Sequence, residues 1–312
     1  MLLNAQRFIY KSLATSKKRM NKASNFSPLS RYEALLLGPL GEIYSARKKT
    51  KTSEWLSYSN LLIDKFAIHS SSYFHLSKGI IEHRKSGEKV KANGYDLFTV
   101  NTTHRAIIET YITFNHIFVE PKSEQEKEFR FLLWKLDGLY QKMNYNIDEN
   151  DVENLTDVLN QKNLEIKNLI ERIKTSDFKN KINSNLLSKI FNPDKKRINW
   201  RFLYDNGTVN TLSISGLVKH VLKTRGFTNA YKYGSIHTHS NFPAIEEFKK
   251  MRGKPIYENY TDPLTELAIL LTCFIMYDIA EIDDNAKKEL NNFPLSLKNY
   301  IIGMTESSRK TG

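Results

Sequence analysis

The sequence predicts an all-α protein, a multi-helix bundle with a protruding helical arm or hairpin. Apolar side chains recur every three or four residues over long stretches, the repeat that lays a stripe along one side of a helix. Glycine and proline are scarce, at 13 and 8 of 312 residues, so few positions interrupt those stretches. No series of alternating apolar and polar segments marks a sheet.

The elements follow in order. Leu2, Leu3, Ile9 and Leu13 can start a short amphipathic helix that loosens through Lys17–Pro28. From Trp55 to His83, Leu62, Phe66, His69, Tyr73, Leu76 and Ile80 share one helical face, with Ser53 as the expected N-cap. Lys85–Gly94 is a polar turn. A second helix over Thr99–Val119 turns Ile108, Tyr111, Ile112, Phe118 and Val119 inward and stops at Pro121. Ser123 and Glu126 form a capping box for a third, which buries Phe129, Leu132, Leu133, Leu136 and Tyr140.

Residues 148–191 are rich in Asn, Lys and Glu and nearly free of aromatics. Val152, Leu155, Leu159, Ile166, Leu169 and Ile173 keep a heptad spacing there, interrupted by Lys162. That seam suits either a partner-binding arm or a peripheral helix packed on its own domain. Asp205-Asn206-Gly207 marks a turn. A short helix over Ser213–Thr224 is expected to stop at Gly226, and a helix over Tyr231–His239 at Asn241 and Pro243. Thr261-Asp262-Pro263 opens a helix whose Leu264–Ile279 stretch is apolar on nearly all sides, the mark of a central buried helix. The expected organisation is a basic segment over 1–50, a helical domain over 51–305 with 148–191 as its arm, and a frayed tail over 306–312.

The net charge of +13 is unevenly spread. Residues 1–51 hold eleven Lys/Arg against Glu33 and Glu42, a net of +9, which leaves +4 for the other 261 residues. A basic segment on a near-neutral body points to RNA or another anionic partner, with Lys17, Lys18, Arg19, Arg47, Lys48 and Lys49 as the expected contacts. A solvated tail fits the same composition, and so does a transit peptide. The one cysteine, Cys273, cannot form an internal disulfide, which fits a reducing, cytoplasmic setting. The longest uncharged apolar run, Leu267–Tyr277, falls short of the roughly 20 residues that span a bilayer, so no membrane crossing is expected. Residues 148–191 offer a surface for a second copy or another protein.

The sequence has no phosphate-cradling Gly-rich loop, no G-x-S-x-G, no CxxC and no HExxH. His237 and His239 are separated by about 200° on a helix and cannot easily share one metal, so neither a metal nor a cofactor is expected. A different set converges. Tyr231, Ser235 and His239 fall at i, i+4 and i+8, while Arg105 and Glu109 lie one turn apart on another apolar helix. If the stripes face each other, Ser235 can orient or be activated by His239. Arg105 can hold a phosphate, and Glu109 can hold that arginine or act as a base. A buried polar network that only fixes helix register uses the same residues.

Arg105-x-x-x-Glu109, followed far downstream by Tyr231-x-x-x-Ser235-x-x-x-His239, resembles the DUF5677 type of uncharacterised all-helical bacterial proteins, over about residues 95–245. That family has a loose likeness to HEPN proteins, helical-bundle nucleases and binding modules that use Arg, four to six residues, then His on one helix. Here Arg225 precedes His237 by twelve positions, so Arg105 would have to replace that arginine from another helix. The resemblance implies an RNA-directed effector, a metal-independent HEPN-like ribonuclease or toxin. The alternative is a non-enzymatic helical binding or regulatory module whose polar stripes are structural.

Overall fold

The computed structural model describes residues 27–47, 53–79, 81–83, 86, 89–91, 96–143, 155–205, 207–239, 241–251 and 261–310. The described residues are mainly helical, with small two-stranded pairings between helices. Two compact units form, Met1–Asn115 together with Val218–Gly312, and His116–Leu217.

In the first unit the helices are α1 (Pro28–Leu37), α2 (Pro39–Arg47), α3 (Glu54–Ser77) and α4 (Leu97–Phe114). Helix α8 (Ile214–Leu222) begins within the second unit and ends in the first, and α9 (Arg225–Thr238) and α10 (Phe242–Met251) follow in the first. Then follow α11 (Asp262–Ile282), α12 (Asp284–Asn292) and α13 (Leu295–Lys310). Helix α11 is the centre: Ile269, Leu271, Cys273, Phe274, Ile275, Met276 and Ile279 are all buried. It packs on α1, α2, α4, α12 and α13. By length and composition α11 could cross a membrane, but 67% of its apolar window is buried inside the protein. Neighbouring helices thus supply most of the apolar surroundings it needs. Burial also pushes the Cys273 thiol up to about 12, which removes it as a nucleophile.

Several boundaries differ from expectation. Helix α3 ends at Ser77, not His83, because Gly79 takes a left-handed conformation (φ 83°) and Ile81–His83 pairs with Lys89–Lys91 as strands β1 and β2. The buried face of α3 runs through Ser59, Leu62, Ile63, Phe66, Ser70, Tyr73, Phe74 and Ser77, leaving His69 only half-buried. Three serines lie on that face, and Ser59 accepts from Arg47 of α2 at 2.5 Å. Ser53 sits at the N-cap position of α3 without a side-chain bond. Gly226 is not a stop. The left-handed residue after α8 is Lys223 (φ 53°), Thr224 takes the N-cap position of α9, and Gly226 lies in that helix's first turn.

A π-helical turn over Asn115–Val119 leads into the second unit, which continues through α5 (Glu124–Met143), α6 (Leu155–Thr175) and α7 (Ser184–Ile190). Ser123 Oγ accepts from the Glu126 amide at 3.2 Å, and Glu126 reaches back to the Lys122 amide, a shifted form of the expected capping box. All five expected core residues of α5 are buried. Helix α6 packs on α5 through Ile166, Leu169 and Ile173, so this part of the expected arm lies on its own unit. Lys135–Glu165 and Arg172–Glu128 ion pairs, both 2.9 Å, flank the seam. Residues 152 and 155 of that heptad lie outside the side chains described. Strands β5 (Phe202–Asp205) and β6 (Thr208–Thr211) form a hairpin around the expected turn, with Gly207 at φ 76°. Strands β3 (Phe191–Asn192) and β4 (Arg197–Ile198) make a shorter one. Buried Arg130 ties this unit's interior together, donating to Glu126 Oε1 (2.6 Å), Glu120 Oε2 (3.0 Å) and the His116 carbonyl (2.8 Å).

Candidate functional site

Helices α4 and α9 bring the two predicted stripes together within the first unit. Asp96 caps α4 by accepting from the Thr99 amide at 3.0 Å. The two helices run antiparallel: Thr102 lies beside Thr238 (3.2 Å between hydroxyls), Arg105 beside Gly234, and Glu109 beside Tyr231. Their close approach depends on Gly234. A Cβ there would lie 3.0 Å from Arg105 Cβ and 3.1 Å from the Asn101 carbonyl oxygen.

The contact is a closed polar triangle. Arg105 Nε donates to Glu109 Oε1 at 2.9 Å, Arg105 Nη2 to the Tyr231 hydroxyl at 3.3 Å, and Tyr231 to Glu109 Oε1 at 3.1 Å. The guanidinium carbon also lies 5.0 Å from the Tyr231 ring centroid. Burial opposes the charge on Arg105, but Glu109 and Tyr231 outweigh it and hold its pKa above the ordinary value. Burial, then the Glu109 carboxylate, raise the Tyr231 phenol, which therefore stays protonated and remains a donor. The side chain of Arg105 is 18% exposed and that of Glu109 38%, so the triangle opens to solvent on the Glu109 side.

Ser235 and His239 stand apart from it. The Ser235 hydroxyl donates to the Tyr231 carbonyl at 2.9 Å, along its own helix. His239 is the C-cap residue of α9, exposed, with its amide bonded back to the Ser235 carbonyl at 3.2 Å. At about 1.5 Å of rise per residue, it lies roughly 12 Å along the axis from Tyr231. Among the described residues, no hydrogen bond joins Arg105 or Glu109 to Ser235 or His239.

The histidine turned inward is His237. It is 3% exposed, packs edge-on against Tyr233 (4.5 Å between centroids) and Phe98 (5.5 Å), and lies 3.5 Å from Glu247 Oε2. Glu247 also accepts from the Tyr233 hydroxyl at 2.5 Å. Burial lowers the His237 pKa, with Glu247 opposing. Spacing alone favoured His239; the i, i+4 pair Tyr233/His237 was the overlooked signal. Among the described residues, no group of three or more His, Cys, Asp or Glu could hold a metal ion.

The predicted anion-binding set is altered by one member. Arg47 is fully buried, and its Nη2 donates to Ser59 Oγ at 2.5 Å. Burial lowers its pKa to about 10, with Asp283 acting the other way. It closes the helix α2–α3 contact instead of facing a partner; counting charge in sequence assumes exposure, and here the assumption fails. Lys17, Lys18, Arg19, Lys48 and Lys49 lie outside the described residues.

The profile of the family of unknown function DUF5677 matches residues 92–254, a little over half of the chain, and takes in both α4 and α9. No curated protein and no solved structure matches the chain. On the strength of that match, the protein belongs to the DUF5677 family.

Proposed function

We propose that the protein is a non-enzymatic helical binding or regulatory module, in which Arg105, Glu109 and Tyr231 hold α4 and α9 in register and the basic N-terminal segment engages an anionic partner such as RNA. The reading is carried by how the polar groups are used. Arg105 is charge-matched by Glu109, Tyr231 bonds both, and the one proton of Ser235 goes to a backbone carbonyl. Covalent catalysis by a serine needs a base within hydrogen-bond reach of its hydroxyl, and among the described residues the Ser235 hydroxyl bonds only the Tyr231 carbonyl.

A second reading, an RNA-directed effector of the HEPN-like ribonuclease or toxin kind, is favoured by two features. Arg105 Nη1 has no hydrogen-bond partner among the described residues, and His239 is exposed at the end of the same helix. There His239 would move protons and Arg105 would steady a phosphate, with Glu109 and Tyr231 positioning that arginine.

One experiment separates the two. The full chain and its His239→Ala variant are incubated with RNA, and cleavage and melting temperature are followed together. The module reading expects RNA retention without cleavage in both proteins and an unchanged Tm. Cleavage by the parent chain that vanishes in the variant at unchanged Tm overturns the module reading in favour of the second.

A further inference from the structure

Helix α10 buries very little of itself. Among its described side chains only Ala244 is fully buried, and Glu247 is half-buried. Contacts near Ala244 fasten it to its surroundings: the Tyr233–Glu247 hydrogen bond, the approach of His237 to Glu247 at 3.5 Å, and the Phe98–Phe248 ring contact, at 5.5 Å between centroids. Its other large apolar side chains face solvent: Phe242 is 76% exposed, Ile245 47%, and Phe248 itself 47%. At about 100° per residue, Phe242, Ile245 and Lys249 share one outward stripe, roughly opposite Ala244 and Glu247.

The charge beside this stripe is positive at the C-terminal end of the helix. Residues 249–254 of the sequence hold Lys249, Lys250, Arg252 and Lys254 and no acid. Lys249 and Lys250 are exposed. The helix's two acids are engaged, Glu247 by Tyr233 and Glu246 by Lys250 at 3.6 Å.

We propose that α10 is an interfacial docking helix for an anionic phospholipid surface. A short helix with Phe and Ile outward and lysines at its edge meets both halves of such a surface: acyl chains take the rings and the isoleucine, and headgroups take the ammonium groups. The aliphatic stem of Lys249 extends alongside Ile245 while its charge reaches the headgroup layer. A nucleic acid would satisfy the cations and stack on Phe242, but it would leave Ile245 in water, whereas acyl chains take both. The surface uses no residue of the Arg105 cluster, so its failure leaves the module reading standing.

The test is co-sedimentation of the full chain with phosphatidylcholine vesicles, with and without phosphatidylserine. The chain is expected to bind the phosphatidylserine vesicles and not the neutral ones. Phe242→Ser/Ile245→Ser should weaken that binding by about tenfold or more, and Lys249→Glu/Lys250→Glu by a similar factor, each at unchanged Tm. If the first pair lowers the Tm, the lysine pair decides alone, since both side chains are exposed. Wild-type-like binding by the deciding variant, or no binding of phosphatidylserine vesicles by the parent chain, overturns the proposal. So does single-stranded RNA binding that needs Phe242 and Ile245 while vesicles are ignored.

Discussion

Arg105 and Tyr231 meet twice across the α4–α9 contact, by a 3.3 Å hydrogen bond to the phenol oxygen and by the guanidinium carbon 5.0 Å from the ring centroid. The phenol also donates to Glu109, so Tyr231→Phe keeps the ring contact and removes both hydroxyl bonds. The expected loss is about 1 kcal/mol, read as a shift in denaturant midpoint at constant slope. A double-mutant cycle of Tyr231→Phe with Glu109→Gln should show a coupling of about 0.5–1 kcal/mol, modest because Glu109 is partly exposed. Zero coupling would contradict the triangle.

Gly234→Ala tests the close approach. Alanine favours a helix over glycine by about 1 kcal/mol, so on propensity alone the variant should be more stable. The new Cβ, however, would meet the Asn101 carbonyl oxygen at 3.1 Å, and a backbone atom inside a helix yields little. A net destabilisation of about 1–3 kcal/mol is expected, measured by thermal or chemical unfolding. A stabilised variant would show that the helices are not in contact there.

A buried carboxylate anchors the last helix. Asp278 is fully buried and accepts from Tyr111 (2.8 Å), Asn115 (2.9 Å) and Arg309 (2.7 Å). Arg309→Ala leaves that charge without its counterion. With the Arg309 side chain 35% exposed, the cost is discounted to about 2 kcal/mol. Adding Asp278→Asn should recover part of it; a double variant less stable than Arg309→Ala would refute the ion-pair account.

Acid should weaken the fold through His104. Burial lowers its pKa to about 4 from 6.5, a backbone bond at Leu264 partly opposing. The unfolded chain therefore takes up a proton that the folded chain refuses as pH falls below 6.5. The neutral-histidine contribution is complete above 6.5 and is lost between 6.5 and about 4 at roughly 1.4 kcal/mol per pH unit. His237, also lowered by burial, adds in the same direction. Unfolding curves at several pH values should show this slope, and His104→Gln should flatten it.

Much of this was legible in the residue order. Helical spacing singled out Arg105, Glu109 and Tyr231, because i, i+4 geometry is local; that their stripes face each other was a condition that only the packing of α4 on α9 could meet. The end of α9 was not local. Tyr231, Ser235 and His239 align only on a helix that continues past Thr238, whereas His239 serves as its C-cap and Asn241 already accepts from the first turn of α10. On α3, apolar periodicity pointed to His69, but the buried face runs through Ser70, since a small hydroxyl side chain lets helices approach and carries no apolar signal. Lys223 takes the left-handed position where a glycine stop was expected, and Gly226 falls inside the next helix.

The numbering of the first unit has a consequence for its birth on the ribosome. Helix α4 ends at Phe114; α3 precedes it, but its other partners α9 and α11 begin only at Arg225 and Asp262. A nascent chain must therefore hold Arg105, Glu109 and Tyr111 without Tyr231 and Asp278 while more than a hundred further residues are made. The intervening unit, His116–Leu217, can complete its own contacts in that interval. A chain stalled before Arg225 would be half-folded and sticky, and closing the unit late, across so long a sequence separation, makes that step slow.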